Sequence, residues 1–241
     1  MRNISYLIRR AKFLDSRLIV ALDLYTDTVD SKSLLIDRLD KLLEKLTNYV
    51  AAIKIGLPTI LCLGIDELHE LLHKYRDYYF IADMKISDVG HIDRILCRYA
   101  DRMGFDAVIS HAIIGLKNGL EVVVDEVHSK GGSVFTVCAM SHPGAEEILN
   151  TNFSKMLDVS LKAGVDGFIL PATQPKYIQM AREKIGREKI VISPGVVHQG
   201  AEVGIAIEYG ADFEIIGRGV YLADDPVKAA QTYASKLRWS I

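Results

Sequence analysis

The stretch YFIADMKISD, residues 79–88, changes character halfway along: Tyr79 to Ala82 are apolar, and then Asp83, Lys85 and Asp88 follow in quick succession. An apolar run with little polar alternation marks a strand buried on both faces, as in a parallel sheet covered by helices. Charges gathered at the carboxyl end of such a strand sit where α/β barrels build their chemistry. Similar runs stand on both sides of it: LIVALD (18–23), AAIKIG (51–56), DAVIS (106–110), SVFTVCAM (133–140), DGFIL (166–170), KIVIS (189–193) and FEIIG (213–217).

Segments of helical period separate these runs. In SKSLLIDRLDKLLEKL (31–46), Leu34, Leu35, Leu39, Leu42, Leu43 and Leu46 recur at three- and four-residue steps. Gly104, Gly164 and Gly210 each stand two residues before an aspartate, Asp106, Asp166 and Asp212, that opens a run. Glycine is the usual helix stop, because it enters the left-handed region without steric cost. Eight strand–helix units predict a (β/α)8 TIM barrel forming a single domain over residues 1–241. The rival open sheet would favour a G-x-G-x-x-G fingerprint, which is absent. Ahead of the first strand, MRNISYLIRRAKFLDSR reads as an amphipathic helix, with Ile4, Leu7, Ile8 and Phe13 assigned to one face. It lacks the long apolar stretch and cleavage site of a secretory signal.

Composition narrows the function. Twenty-nine basic residues face 31 acidic ones, for a net charge of -2, so the basic excess of a nucleic-acid-binding protein is missing. No apolar run approaches the roughly 20 residues of a membrane helix. Cys62, Cys97 and Cys138 are odd in number and far apart, which argues against a disulfide framework or structural zinc and fits a reducing cytoplasm. They read as packing residues, Trp239 as a docking anchor, and the charged stretch around 183–189 as a solvated face.

The strand ends carry the functional signal. Asp23 ends the first strand, Lys54 interrupts the second, and Asp83, Lys85 and Asp88 follow the third. Buried lysine is rare unless paired, and two residues apart on a strand places Asp83 and Lys85 on the same side. An inward cluster of such charges is costly to desolvate, which favours a catalytic over a structural origin. Pro194 and Gly195 follow the seventh strand, and Gly217 and Arg218 the eighth. Loops at those two places form the usual phosphate cradle of the barrel, so the expected substrate is a small phosphorylated molecule.

Taken in order, LIVALDL (18–24), IKIG, ADMKISDVG, MSHPGAEE, SPGVVHQG and IIGRGVYLADDP (215–226) resemble the orotidine 5′-phosphate decarboxylase family in its short microbial and archaeal form. The resemblance implies decarboxylation of orotidine 5′-monophosphate to uridine 5′-monophosphate in pyrimidine biosynthesis, with no metal and no cofactor. It implies that Lys54, Asp83, Lys85 and Asp88 form an alternating charged array, with Lys85 the proton donor and Asp88 reaching a neighbouring site in a homodimer. Asp23 and Lys54 would contact the ribose, and Ser141 the pyrimidine. Pro194 would line the nucleotide site. Gln199 would bridge ring and phosphate from a closing loop, while Gly217 and Arg218 hold the phosphate. One departure stands out: Ile92, beside His91, replaces the threonine that the family usually places four residues after the second aspartate.

Three rival readings share the barrel. Sugar-phosphate decarboxylases and hexulose-phosphate synthases use the same Asp-x-Lys-x-x-Asp pattern with Mg²⁺. A pentose-phosphate epimerase needs paired histidine and aspartate metal ligands, for which His111 is the one strand-end candidate, His142 and His198 reading as loop or pocket-lining residues. A barrel that only binds ligand is expected to have lost one of the four charges, and all four remain.

Overall fold

The computed structural model describes residues 1–26 and 31–240. Its strands are β1 (Leu18–Ala21), β2 (Ala52–Gly56), β3 (Tyr79–Ile86), β4 (Ala107–His111), β5 (Ser133–Val137), β6 (Gly167–Ile169), β7 (Ile190–Pro194) and β8 (Phe213–Ile216). Each pairs in parallel with the next, and β8 returns to β1 through Leu18↔Glu214 and Ile19↔Ile215, closing a barrel. Each apolar run identified in the sequence corresponds to one strand, with β4 and β7 reaching one residue past theirs, to His111 and Pro194.

Helix α1 (Ile4–Leu14) precedes the barrel, and α2 (Lys32–Leu46), α3 (Leu57–Leu63), α4 (Ile65–Lys74), α5 (Gly90–Met103) and α6 (Glu121–Ser129) follow successive strands. The remainder are α7 (Phe153–Ala163), α8 (Lys176–Ile185), the single turns α9 (Ile205–Glu208) and α10 (Arg218–Tyr221), and α11 (Pro226–Lys236). None of the described helices is long and apolar enough to cross a membrane.

Strand alternation divides the core in two. Ile19, Tyr79, Ile81, Ile109, Phe135, Ile192 and Phe213 fill the barrel interior, while Val20, Phe80, Val108, Val134, Phe168 and Val191 face outward beneath the helices. Leu7 and Ala11 of α1 join the interior cluster and close its amino-terminal end. Phe13 does not share their face: it is 87% exposed. Nine residues of α-helix rotate about 180°, which carries Phe13 to the side opposite Ile4 and corrects its expected placement.

The Gly-x-Asp repeat has a structural purpose. Gly104 and Gly164 cap α5 and α7 at φ 95° and 82°, and Gly210 follows α9 at φ 105°. The aspartate then crosses to the neighbouring strand: Asp106 accepts from Phe80 N (3.0 Å), Asp166 from Val134 N (2.8 Å) and Asp212 from Val191 N (2.8 Å). Each is also paired with a basic side chain, Arg2, His128 and Arg182 respectively. Three strand pairs are thus stapled at their amino-terminal ends, leaving the opposite ends for the site.

Of the cysteines, Cys97 and Cys138 are buried and Cys62 only partly so. Trp239 lies beyond α11 rather than on it, tilted against Phe213 at 5.6 Å.

Candidate active site

At the carboxyl ends of the strands four charges form one continuous chain. Lys54 Nζ donates to both oxygens of Asp23 (3.0 and 3.1 Å) and to Asp83 Oδ2 (2.8 Å), and Lys85 Nζ donates to Asp83 Oδ1 (2.8 Å). Lys54 is only 6% exposed. Burial pulls its pKa down, but the carboxylates of Asp83 and Asp23 outweigh that loss and raise it above the ordinary value. For Asp83, burial pushes the carboxyl up, while Lys54 and Lys85 together hold it below the usual range. Both groups therefore stay ionised at neutral pH.

Local structure explains how these groups meet. Between Ala82 and Ile86 the register of β3 against β4 shifts, and Lys85 occupies the left-handed region at φ 46°. The strand alternation invoked for Asp83 and Lys85 is interrupted there; a bulge re-aims Lys85 toward Asp83. Asp23 lies just past the end of β1 and is fixed from two directions. Thr59 on α3 donates its hydroxyl to the carbonyls of Leu22 and Leu24, which flank Asp23. At Gly56, the last residue of β2, a Cβ would collide with Asp23 Oδ1. Neither Thr59 nor Gly56 stood out in the sequence, because one acts through a backbone strap and the other through the space it leaves.

The chain of charges forms one wall of a cavity of about 280 Å³. Ser141, Pro194 and Gln199 line it, as do Gly217 and Arg218 just past β8, the strand that pairs with β1. Ser141 Oγ donates to Gln199 Oε1 at 2.9 Å, so the loop after β7 is drawn over the cavity. Arg218 opens α10, whose first amides lack partners within the helix. An anionic group placed there would meet both the guanidinium and those amides. Tyr221 and His198 also line the cavity, the tyrosine unremarked in the sequence although it lies within IIGRGVY.

Asp88 is the one expected site residue that this chain does not bring into its own cavity. It is exposed, with Oδ1 accepting from Val89 N at 2.7 Å and its own amide donating to Asp93. Beside it, Ile92 is half-buried and His91 exposed. His111 ends β4 with a buried Nδ1 that has no partner among the described residues; burial and the neighbouring Lys85 lower its pKa. No group of three or more His, Cys, Asp or Glu side chains suited to a metal ion occurs among the described residues.

The model of the orotidine 5′-phosphate decarboxylase / HUMPS family matches residues 16–233. The orotidine 5′-phosphate decarboxylase of Methanosarcina mazei is 35% identical over 198 residues, 82% of this chain and 88% of its own. That of Thermoplasma acidophilum is 36% identical over 217 residues, covering 90% and 93%. Among solved structures, the Methanocaldococcus jannaschii orotidine 5′-monophosphate decarboxylase complexed with the inhibitor BMP superposes with a TM-score of 0.78. It is 28% identical, over 92% of this chain and 98% of that one.

Proposed function

The chain belongs to the orotidine 5′-phosphate decarboxylase / HUMPS family, and from that premise we propose that it decarboxylates orotidine 5′-monophosphate to uridine 5′-monophosphate in pyrimidine biosynthesis. The observation that carries this reading is the unbroken Asp23–Lys54–Asp83–Lys85 chain in the wall of a cavity that Arg218 also lines.

Cleavage of the bond between ring and carboxylate releases CO₂ and leaves its electron pair on the ring carbon, with little delocalisation to absorb it. Stabilisation is then a matter of preorganised charge. The Lys85 ammonium stands beside that carbon and stabilises the pair. It then transfers a proton to the carbon, and the neutral amine is reprotonated from water. Asp83 aims Lys85 through their hydrogen bond, and Lys54 keeps Asp83 ionised. Asp88, supplied by the second subunit of a homodimer, completes the array. Asp23 and Lys54 hold the ribose, Ser141 the pyrimidine, and Pro194 the wall of the nucleotide site. Gln199 joins ring to phosphate as the loop closes, and Gly217 with Arg218 grips the phosphate. Binding energy from the phosphate drives closure and water exclusion, and so enters the rate. The reaction uses neither metal nor cofactor. Residues 1–241 act as one domain, in the cytoplasm.

An absorbance assay with orotidine 5′-monophosphate tests the reading. Loss of the orotate chromophore is expected at the same rate with and without EDTA. An unchanged spectrum would remove the substrate assignment, and activity that disappears with chelator and returns with Mg²⁺ would replace this mechanism with a metal-dependent one.

A further inference from the structure

We infer that Glu214 is a positioning residue for the lid: it fixes the downstream hinge of segment 195–203, so that Gln199 comes down at one place over the cavity. The inference rests on the reading of that segment as a closing lid.

Glu214 lies on β8 between Phe213 and Ile215, which face the barrel interior, and so points outward into the helix layer. It is fully buried, at 0% exposure, and has no Lys, Arg or His ion-pair partner among the described residues. Its carboxylate is met by the amides that lead into α9. Oε1 accepts from Gly204 N (3.1 Å) and Ala206 N (2.9 Å), and Oε2 accepts from Gly204 N (2.9 Å). Burial pushes its carboxyl up, the amides of Gly204, Ala206 and Ile207 pull it back, and Glu208 faces it as a like charge. A carboxyl with a raised folded-state pKa favours folding below its unfolded value, and that advantage is lost as pH rises through the folded one. At neutral pH Glu214 therefore costs the fold stability, and its described side-chain partners are hinge amides.

The segment it holds is built to move as a piece. Gly195 and Gly204 stand at its ends with φ 106° and 101°. Between them the loop is knit by its own backbone: Val197 N to Ala201 O (2.8 Å), His198 N to Val196 O (2.9 Å), Gly200 N to Val197 O (3.2 Å) and Ala201 N to Gly195 O (3.4 Å). Rotation then concentrates at the two glycines, which tolerate it. The upstream end is held by Pro194, which pairs with Ile215 of β8. The downstream end is held by Glu214 on the same strand, three residues before Gly217. One rigid strand thus sets the lid's hinges and the phosphate turn in a fixed relation.

Hydrogen–deuterium exchange on the full-length protein, with Glu214→Gln and Glu214→Leu beside the wild type, tests this. Amides of 195–207 are expected to exchange about tenfold faster in Glu214→Leu, and less so in Glu214→Gln, which keeps one acceptor oxygen. Peptides from β1, β3 and β5 should be unchanged, and Glu214→Gln should melt no lower than the wild type. In Glu214→Gln the KM for orotidine 5′-monophosphate is expected to rise more than kcat falls. Unchanged exchange at 195–207 in both variants, or faster exchange spread over all strands, would overturn the inference. The exchange comparison needs no turnover, so a wild type inert toward orotidine 5′-monophosphate defeats the functional reading and leaves this result standing.

Discussion

Lys54 shows why a single residue can decide both the shape and the chemistry of the site. Two carboxylates together keep this buried ammonium charged, and one of them, Asp23, is fixed by its surroundings. Thr59 straps the carbonyls on either side of Asp23, so its hydroxyl acts on Lys54 without touching it. Thr59→Val keeps the volume, removes the strap and leaves carbonyls unpaired, a cost of about 1–3 kcal/mol. The expected result is a kcat/KM reduced by about tenfold, with Thr59→Ser restoring it. A variant with a lower melting temperature and wild-type kinetics would confine Thr59 to stability. At this scale the sequence was legible wherever charge betrayed function: Asp23, Lys54, Asp83 and Lys85 were visible because each breaks or ends an apolar run. Gly56, Thr59 and Glu214 were not. Gly56 works by lacking a side chain, Thr59 by a bond to backbone, and Glu214 sits inside FEIIG, a run whose other members are apolar or glycine.

At the scale of elements, the three Gly-x-Asp staples are equivalent in geometry but not in chemistry. Asp106 and Asp212 are paired with arginines, whereas Asp166 is paired with His128 at 2.9 Å. The hydrogen bond to Asp166 is the main cause raising the His128 pKa, and it outweighs burial. The stability it adds is present below the unfolded value of about 6.5 and is lost as pH rises through the folded value. Because the His128 side chain is 39% exposed, solvent screening holds the effect under about 1 kcal/mol. Urea unfolding should show the wild type losing this increment as pH rises above about 6.5, and His128→Arg keeping it. Equal pH dependence in the two proteins would contradict the assignment. The helix stops and strand starts of these units could be read from sequence, since glycine punctuation and apolar runs are local signals. The cross-strand bond of each aspartate could not, because it depends on which strands become neighbours. The bulge at Lys85 is of the same kind: β3 is shaped there by its pairing with β4. Phe13 was misplaced for a simpler reason, helical rotation accumulated over too many residues.

Across the whole molecule, the eight-fold repeat and its closure follow from the pattern of runs, and the site lies at the end of the barrel that pattern indicates. On the proposed mechanism, what one chain leaves incomplete is the array itself. Asp23, Lys54, Asp83 and Lys85 are joined, while Asp88 stands exposed outside the cavity of its own chain. The proposed mechanism requires a second subunit to place Asp88 beside Lys85. Mixing Lys85→Ala with Asp88→Asn subunits, after dissociation and reassociation, tests this account most directly. Each heterodimer would hold one site with both native residues and one with neither. Random pairing makes half the dimers mixed, so a pool of two inactive parents should recover about a quarter of wild-type decarboxylation of orotidine 5′-monophosphate. A mixture as inactive as its parents, or an Asp88→Asn protein that turns over normally alone, would contradict the shared array.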